Sequence, residues 1–414
     1  MSKKIFIIII SLALTLLLVG LVTYYFVIQG QNGSSTTPSG FRGFLPFGGN
    51  GAENGTTTVT NTPTPENPPA NFTQKLRELS IEPVSGAGTS DVKIGTTTKS
   101  TQTGTVVRYI EKATGHIFEV ELFSPKQDRI SNTTIPLVYD AIWGNKNGSL
   151  VARYLKDDNQ TVDTYSLNLK STATTSENTI TGIAFPPKIT DLSVFDGNIF
   201  YLLQNGSGSQ GFVSGFDGKG RKQIWNSVIR EWNSQYVNTR TVALTTKPTS
   251  NMPGFLYFVD TSTGQVKKVL SSILGLSSLT NPLATSVLYL EQTGGVRMFI
   301  SDLKNKSTNA LTPSTFPEKC VWSIKDKNII YCAVPRENLD GNSLTNWYKG
   351  LISTSDDVWK YDIKNSIATI VGNLSDNPQS ESIDVMKPIL SENEQYLVFI
   401  NKTNNSLWSL DLTK

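Results

Sequence analysis

The chain has 414 residues, which is enough for two or three average domains or for one large repeat architecture. Its 37 Lys and Arg residues against 34 Asp and Glu residues leave a net charge of +3, so no field of one sign points to nucleic acid or to an acidic partner. A single histidine removes most routes to a histidine-based catalytic or metal centre.

The N-terminal segment predicts an uncleaved signal-anchor. Lys3 and Lys4 precede 24 residues, 5–28, that carry no charge. A helix of this length rises roughly 36 Å and can cross a bilayer with some tilt. Because the next basic residue is Arg42, the positive-inside bias places residues 1–4 in the cytoplasm and the rest of the chain outside it. A cleaved signal peptide is the alternative, although its apolar region is usually shorter.

Residues 29–73 predict a flexible linker. Gly-Gly, Thr-Thr-Thr and Pro-x-Pro stretches dominate this segment, and it has almost no periodic apolar residues. It therefore buries too little apolar surface to offset the entropy lost on ordering. One apolar island interrupts it, at Phe41, Phe44, Leu45 and Phe47. This island is either a juxtamembrane or partner-binding patch or a disordered hydrophobic cluster.

The rest of the chain is dominated by an internal repeat. From Val106 onward, short β-branched and aromatic runs alternate with Gly, Asn, Asp and Lys turns, which is an all-β pattern. A hydrophobic motif ending in an acidic residue or Asn recurs, as in Val358-Trp-Lys-Tyr-Asp362. This last position falls at 121, 168, 217, 260, 302, 362 and 411, with spacings of 47, 49, 43, 42, 60 and 49. An apolar strand precedes each copy, so the repeat predicts seven sheets of four short strands.

The spacing and the motif resemble the blades of β-propellers, particularly the WD40-like repeats of TolB-type and prolyl-oligopeptidase-type propellers. The resemblance covers roughly residues 74–414 and implies a seven-bladed β-propeller, while specifying the fold far better than the function. A two-sheet sandwich is the competing fold. Because Lys414 follows the third strand of the seventh unit, residues 75–81 are expected to add the missing outer strand and close the last blade. An ordinary lead-in loop is the alternative.

The only two cysteines, Cys320 and Cys332, lie in adjacent predicted strands. A turn centred near Asp326 would place them opposite each other across an antiparallel hairpin, near the lower limit of disulfide geometry. Two cysteines with no histidine nearby do not form a usual zinc site. Since export favours oxidation, we predict a structural disulfide, with a buried reduced pair as the alternative.

The longest interval contains an insertion, Pro335–Asp357, between the second and third strands of the sixth unit. In propellers, such loops emerge on the same face as the loops that join successive blades, and that face commonly binds partners. Trp347 and Tyr348 are predicted to be presented there, beside Trp232 and Tyr236 of an inter-blade loop. The alternative is that these aromatic side chains cap the core beneath the insertion.

Catalytic and metal-binding motifs are not apparent in the sequence. His116 lies in a turn before a strand, where local hydrogen bonding explains it better than a catalytic role. No Gly-x-Ser-x-Gly elbow or Walker loop is present, and the acidic turns match no complete calcium loop. The repeated Asp is expected to form turns at strand ends. We therefore predict no catalytic residue, metal or cofactor.

These features together predict a single-pass membrane protein whose propeller lies outside the cytoplasm and binds a protein, peptide or glycan of the cell envelope. A hydrolase or lyase that uses carboxylates around the central channel is one alternative. An envelope sensor or assembly factor is another, and it predicts that an unrelated helix cannot replace the membrane segment without loss of function. A nucleic acid partner is not expected.

Overall fold

The computed structural model describes residues 74–94, 102–156, 158, 160–170, 179–377 and 381–414. The membrane segment predicted over residues 5–28 and the linker predicted over residues 29–73 lie outside these ranges, so both stay predictions. Among the described residues, no helix is long and apolar enough to cross a membrane.

In this described part of the chain, strands form seven antiparallel sheets of four strands each, which we number as blades 1 to 7. Blade 1 consists of β2 (Val84–Ile94), β3 (Gln102–Glu111), β4 (Ile117–Glu121) and β5 (Gln127–Arg129). Blade 2 consists of β6 (Val138–Gly144), β7 (Ser149–Leu155), β8 (Val162–Lys170) and β9 (Thr179–Ala184). Blade 3 consists of β10 (Ile189–Phe195), β11 (Asn198–Asn205), β12 (Gly208–Gly215) and β13 (Lys222–Ser227).

The remaining blades follow the same order. Blade 4 consists of β14 (Trp232–Asn238), β15 (Thr241–Thr246), β16 (Pro253–Asp260) and β17 (Val266–Leu274). Blade 5 consists of β18 (Ser277–Thr280), β19 (Ser286–Gln292), β20 (Val296–Asp302) and β21 (Ser307–Leu311). Blade 6 consists of β22 (Cys320–Trp322), β23 (Ile329–Pro335), β24 (Asp356–Asp362) and β25 (Ile367–Asn373). Blade 7 consists of β26 (Val385–Leu390), β27 (Tyr396–Asn401), β28 (Leu407–Asp411) and β1 (Leu76–Ser80).

The outer strand of blade 7 comes from the other end of the described chain. β1 pairs antiparallel with β28, with Leu76 opposite Leu410 and Arg77 opposite Ser409. The first strands of neighbouring blades contact one another at most junctions, and β18 of blade 5 contacts the 3-10 turn Pro317–Lys319 that leads into blade 6. β2 of blade 1 contacts β26 of blade 7. The sheets therefore close into a ring, and the fold is an all-β seven-bladed propeller, as the repeat predicted.

Burial follows the position of each strand within its blade. The second strands contain unbroken buried runs, such as Ile199 to Leu202 in β11 and Leu397 to Asn401 in β27. Both faces of these strands are covered by the neighbouring blades, so they read as continuous apolar runs without polar alternation. Fourth strands such as β17 and β21 are largely exposed, whereas β1, the fourth strand of blade 7, is buried. Hydrophobic packing between blades, rather than within each sheet, therefore holds the ring together.

The repeated Asp forms turns between third and fourth strands. The Asp260 carboxylate accepts hydrogen bonds from the backbone N–H groups of Ser262 (3.0 Å) and Thr263 (2.8 Å). These side-chain and backbone hydrogen bonds hold the pKa of Asp260 below its ordinary value. Asp302 repeats the arrangement with the backbone N–H groups of the next turn. The repeat position is thus a turn former, as expected from its place at strand ends.

The predicted disulfide is confirmed. Cys320 and Cys332 are directly opposite each other in the β22–β23 hairpin, and their sulfur atoms are bonded. The turn between the two strands is shaped by Asp326, whose carboxylate accepts the backbone N–H of Asn328 at 2.9 Å. Both cysteines are buried in the apolar core between blades 5 and 6.

Polar contacts at or beside the first strands bridge every pair of neighbouring blades. In order from the junction of blades 1 and 2 to the junction of blades 7 and 1, the bonded pairs are Ser85–Val138, Arg153–Ile189, Asp191–Ser234, Gln235–Thr280, Ser277–Glu318, Lys319–Asp384 and Lys387–Ser85. The inner rim of the ring is therefore polar, while the space between blades is apolar.

Candidate functional site

One face of the propeller carries an ordered insertion with an α-helix, which the described residues of the other blades lack. In each blade, the loop from the preceding blade and the loop between the second and third strands emerge on the same side, because the four strands are antiparallel. We call this side the upper face. In blade 6, residues 336–355 between β23 and β24 form a cap on it, which includes the short helix α1 (Ser343–Tyr348).

The cap is packed onto several blades. Leu344 and Trp347 lie in an apolar cluster with Leu290 of blade 5 and Phe316, which precedes blade 6. The Thr345 hydroxyl accepts the backbone N–H of Ser250, in a loop of blade 4, at 3.0 Å. The insertion therefore reaches across blade 5 and covers part of the upper face as an ordered element.

The structure corrects the expected presentation of Trp347. Its side chain is only 6% exposed, and its Nε1–H donates to both carboxylate oxygens of Asp384 at 2.9 and 3.0 Å. The ammonium groups of Lys319 and Lys402 lie 5.2 and 5.0 Å from the centre of its ring. The indole is amphipathic, so a buried carboxylate and the apolar cluster together hold it inside, where it caps the core.

Beneath Trp347 lies a buried ionic network that sequence reasoning missed. Lys319 donates through Nζ to Asp356 Oδ2 at 2.6 Å and to Asp384 Oδ1 at 2.5 Å, and all three side chains are inaccessible to solvent. Thr354 donates its hydroxyl to Asp356 (2.8 Å). Burial raises the pKa of Asp356, and the charge of Lys319 offsets part of this increase. The network joins the first strands of blades 6 and 7 to the base of the cap.

Tyr348 is the predicted aromatic residue that remains accessible. Its side chain is 44% exposed, while its hydroxyl donates to Glu318 Oε1 and accepts from Asn233 Nδ2 at 3.3 Å. The same carboxylate oxygen accepts the hydroxyl of Ser277. Side chains from blades 4, 5 and 6 thus meet at the cap. Asp191 of blade 3 acts on Tyr348 through its charge, and we call Asp191, Asn233, Ser277, Glu318 and Tyr348 the rim cluster.

The carboxyl groups of the rim cluster titrate at unusual pH values. Burial raises the pKa of Glu318 above its ordinary value, and it raises the pKa of Asp191 to about 6. The pKa of Tyr348 lies well above that of a free tyrosine, first because its hydroxyl is enclosed between Glu318 and Asn233 even though the residue is partly exposed, and second because of the Glu318 charge. Asp191 makes a smaller contribution. Carboxyl groups with raised pKa values hold their protons to higher pH than free ones do, and they can bind a cationic or hydroxyl-bearing group.

The pKa of Asp191 predicts a pH dependence of stability. Between about pH 4, where an aspartate in the unfolded chain ionises, and pH 6, the folded protein binds more protons at Asp191 than the unfolded chain does. This residue should therefore lower the stability as the pH rises through that window. We expect Asp191→Asn to have a flatter profile of melting temperature between about pH 4 and pH 6 and a higher melting temperature than the wild type at pH 7. Parallel profiles for the two proteins would contradict the assignment.

The other two predicted aromatic residues are also corrected, because both lie in the core. Trp232 is 2% exposed, packs edge-on against Trp225 with ring centres 5.3 Å apart, and donates its Nε1–H to the Ile229 carbonyl at 2.9 Å. Tyr236 is buried against Phe195. Both belong to β14, whose side chains enter the space between blades 3 and 4. Because both side chains are buried, neither is accessible for the binding role predicted for it.

His116 is engaged in local hydrogen bonds. Its Nε2 lies 3.2 Å from the Thr134 hydroxyl, and its backbone N–H donates to the Thr114 hydroxyl at 3.1 Å. Burial and the positive charge of Arg129 lower its pKa. Within the described ranges, no group of three or more His, Cys, Asp or Glu side chains is arranged to hold a metal ion.

No protein-family model matches the chain, and no curated protein matches it either. Several solved structures are similar in architecture. An oligogalacturonate lyase in complex with manganese aligns with a TM-score of 0.48 and 8% identity, over 80% of this chain and 98% of that one. TolB from Acinetobacter baumannii aligns with a TM-score of 0.40 and 14% identity, over 78% and 79% of the two chains. The propeller domain of the trilobed protease from Pyrococcus furiosus aligns with a TM-score of 0.41 and 13% identity, over 62% and 76%. At these values, the fold assignment rests on the sheet topology itself.

Proposed function

We propose that this chain is a membrane-anchored binding protein whose propeller engages a protein partner of the cell envelope through its upper face. The observation that carries the proposal is the distribution of exposed apolar side chains. Leu351 and Tyr348 of the cap, Met252 of blade 4 and Val228 and Ile229 between blades 3 and 4 are all exposed on this face. Exposed apolar side chains gathered around a built element are typical of protein-binding surfaces.

The opposite face provides the contrast. In the loops that join first and second strands, the described residues include two large exposed apolar side chains, Leu283 and Ile324. A glycan remains the alternative ligand, because the rim cluster offers hydroxyl, amide and carboxylate groups beside Tyr348. The exposed aliphatic side chains favour a protein, since they form no hydrogen bonds with sugar hydroxyls.

Two features support a location outside the cytoplasm. The uncharged 24-residue segment of the sequence is long enough to anchor the chain, and Lys3 and Lys4 precede it. The Cys320–Cys332 disulfide is a type of bond that persists in oxidising compartments and is rare in the cytosol. A protease-protection experiment on intact cells tests the orientation, and digestion of the propeller only after lysis of the cytoplasmic membrane would contradict it.

The binding face is tested by photocrosslinking in the native envelope. We would introduce a photoreactive amino acid at position 252 of the full-length protein and measure the yield of the crosslinked complex. The variant Leu351→Asp is expected to lower that yield at least about tenfold, because a charge would be buried in the interface. Ile324→Asp is the matched control, since Ile324 is 60% and Leu351 is 69% exposed, on opposite faces. Equal yields of crosslinked complex from Leu351→Asp and Ile324→Asp would contradict binding through the upper face.

An enzymatic role is the second candidate, and the raised pKa values of Asp191 and Glu318 favour it. A carboxyl group that holds its proton near pH 6 can act as a general acid in hydrolysis or elimination. If the propeller is a hydrolase or lyase, Asp191→Asn should abolish the release of soluble products from isolated envelope material. The lower crosslinking yield caused by Leu351→Asp should still be observed in the Asp191→Asn background. Product release that is equal in wild type and variant would remove this candidate.

A further inference from the structure

The seam at which the ring closes contains a cavity of about 190 Å³ that is unrelated to the upper-face cap. It lies beside β1 and β28 of blade 7 and the loop after β4 of blade 1, and Arg77, Lys75, Phe123, Tyr396, Asp411 and Lys414 line it. The chain enters the propeller here, because Gln74 and Lys75 directly precede β1. A ligand in this cavity would touch both the first described strand and the last one.

Arg77 is the unusual residue of this cavity. Its side chain is 3% exposed, and Nη1 makes long hydrogen bonds to the main-chain oxygens of Glu121 (3.3 Å) and Ser124 (3.5 Å). Its Nε and Nη2 atoms have no hydrogen-bond partner. Burial lowers the pKa of Arg77, but a guanidinium stays charged in proteins. A buried cation with unpaired donors is strongly unfavourable unless an anion or ordered water satisfies it.

The unpaired edge of Arg77 has the geometry that recognises an oxyanion. Arg336 shows the same edge of a guanidinium paired with a carboxylate. It donates from Nε to Asp357 Oδ2 at 2.8 Å and from Nη2 to Asp357 Oδ1 at 2.5 Å. These two nitrogens form the side of the guanidinium that matches two oxygens of a carboxylate or phosphate. In Arg77 the same two nitrogens are the ones left unpaired.

The surrounding charges add to the attraction for an anion. Lys75 donates through Nζ to the main-chain oxygen of Lys414 at 2.5 Å, and Lys414 Nζ lies 3.0 Å from Asp411 Oδ2. The side chains that line the cavity therefore include three cations, those of Lys75, Arg77 and Lys414, and one carboxylate, that of Asp411. Tyr396 adds a phenol whose pKa is raised by burial first and by Asp411 second, so it stays protonated and can donate a hydrogen bond.

We propose that this cavity is an oxyanion-binding site in which a carboxylate or a phosphate-type group accepts two hydrogen bonds from Nε and Nη2 of Arg77. Because Arg77 lies on β1 and the cavity also borders blade 1 and β28, a bound anion links the closing strand to both of its neighbours. Occupancy should therefore stabilise the closed ring by mass action.

The test compares thermal unfolding of the full-length protein in chloride, acetate and phosphate at equal ionic strength. We expect a saturable rise in the wild-type melting temperature of about 2–4 °C in acetate, in phosphate or in both, relative to chloride. A rise in acetate alone would identify a carboxylate ligand, and a rise in phosphate alone a phosphate-type ligand. Because phosphate also stabilises many proteins by exclusion from their surface, only the part of the shift that Arg77→Met lacks is attributed to the site.

The direction in which Arg77→Met shifts the melting temperature in chloride distinguishes a ligand site from a structural arginine. If the charge of Arg77 is unpaired, Arg77→Met should melt at the same temperature as the wild type or higher in chloride, since methionine fills similar space without a charge. Arg240→Met, at a 76% exposed side chain, is the control and should keep the wild-type anion response. A lower melting temperature of Arg77→Met in chloride, or an equal anion shift in that variant, would overturn the proposal. Should the variant fail to fold, calorimetric titration of the wild type with phosphate and acetate decides, because the absence of saturable binding of either anion refutes the site.

Discussion

Lys319→Met should lower the free energy of unfolding by about 3–5 kcal/mol, the range found when one partner of a buried ion pair is removed. The ammonium group of Lys319 contacts Asp356 and Asp384 at 2.6 and 2.5 Å, and none of the three side chains is accessible to solvent. Without it, two buried carboxylates face each other, with the closest other ammonium, that of Lys402, 3.8 Å from Asp384. Equilibrium urea unfolding of the wild type and the variant measures the difference.

The control for this substitution is Arg240→Met, which breaks an exposed pair with Asp260 and is expected to cost no more than about 0.5 kcal/mol. The double variant Lys319→Met/Asp356→Asn should recover part of the loss, because one of the two unpaired charges is removed. A loss below 1 kcal/mol for Lys319→Met, or no recovery in the double variant, would show that the network is not an ionic one.

The same substitution connects stability to the upper face. Trp347 donates its Nε1–H to Asp384, and Asp384 also accepts the backbone N–H of Thr354 in the cap. Repulsion between the two carboxylates should therefore loosen the cap as well as the first strands. We expect the side chain of Trp347 to become more accessible to solvent in Lys319→Met at urea concentrations below the global transition, since Asp384 and the apolar cluster hold the indole in place.

Loss of the disulfide is expected to have the second largest effect, about 3 kcal/mol for a bridge between residues twelve apart in sequence. The double variant Cys320→Ala/Cys332→Ala should therefore unfold at a lower urea concentration than the oxidised wild type. Both sulfur atoms lie in the core between blades 5 and 6, so paired alanines also leave some unfilled volume and add to the loss.

Reduction provides the matched control, because the sequence contains no other cysteine. Wild-type protein that is unfolded and refolded with reductant should approach the stability of the double variant, while reductant should not change the double variant itself. Two reactive thiols in protein isolated from its native envelope and denatured without reductant would contradict the disulfide and, with it, one support for an extracytoplasmic location.

Several parts of the architecture could be predicted from the sequence because they depend on local patterns. The regular recurrence of Asp260, Asp302 and Asp362 marks the end of a third strand in successive blades, and the apolar runs before them mark the second strands. Cys320 and Cys332 could be paired because a short hairpin fixes its own register. Each of these inferences needs only neighbours in the chain and the periodicity of a strand.

The site could not be predicted in the same way. An aromatic residue on a long insertion reads identically whether it points outward or inward, and Trp347 points inward because Asp384, 37 residues away, accepts its indole N–H. Tyr348, the next residue, points its hydroxyl to Glu318 while its ring stays exposed. No local signal distinguishes the two. The charged residues Lys319 and Arg77 likewise resemble ordinary strand-flanking cations in the sequence.

The sequence alone determined the number of units, the strand order within a unit, the turns and the disulfide, because strand periodicity and turn chemistry act over a few residues. It also carries the anchor prediction, which depends only on the length of an uncharged run. Only the tertiary structure decided which polar groups are buried and paired. The packing of blade 6 against blade 7 brings Lys319 to Asp384, and ring closure brings Arg77 to the loop after β4. Burial in a low-dielectric interior then makes the paired groups costly to separate and the unpaired guanidinium a site for an anion.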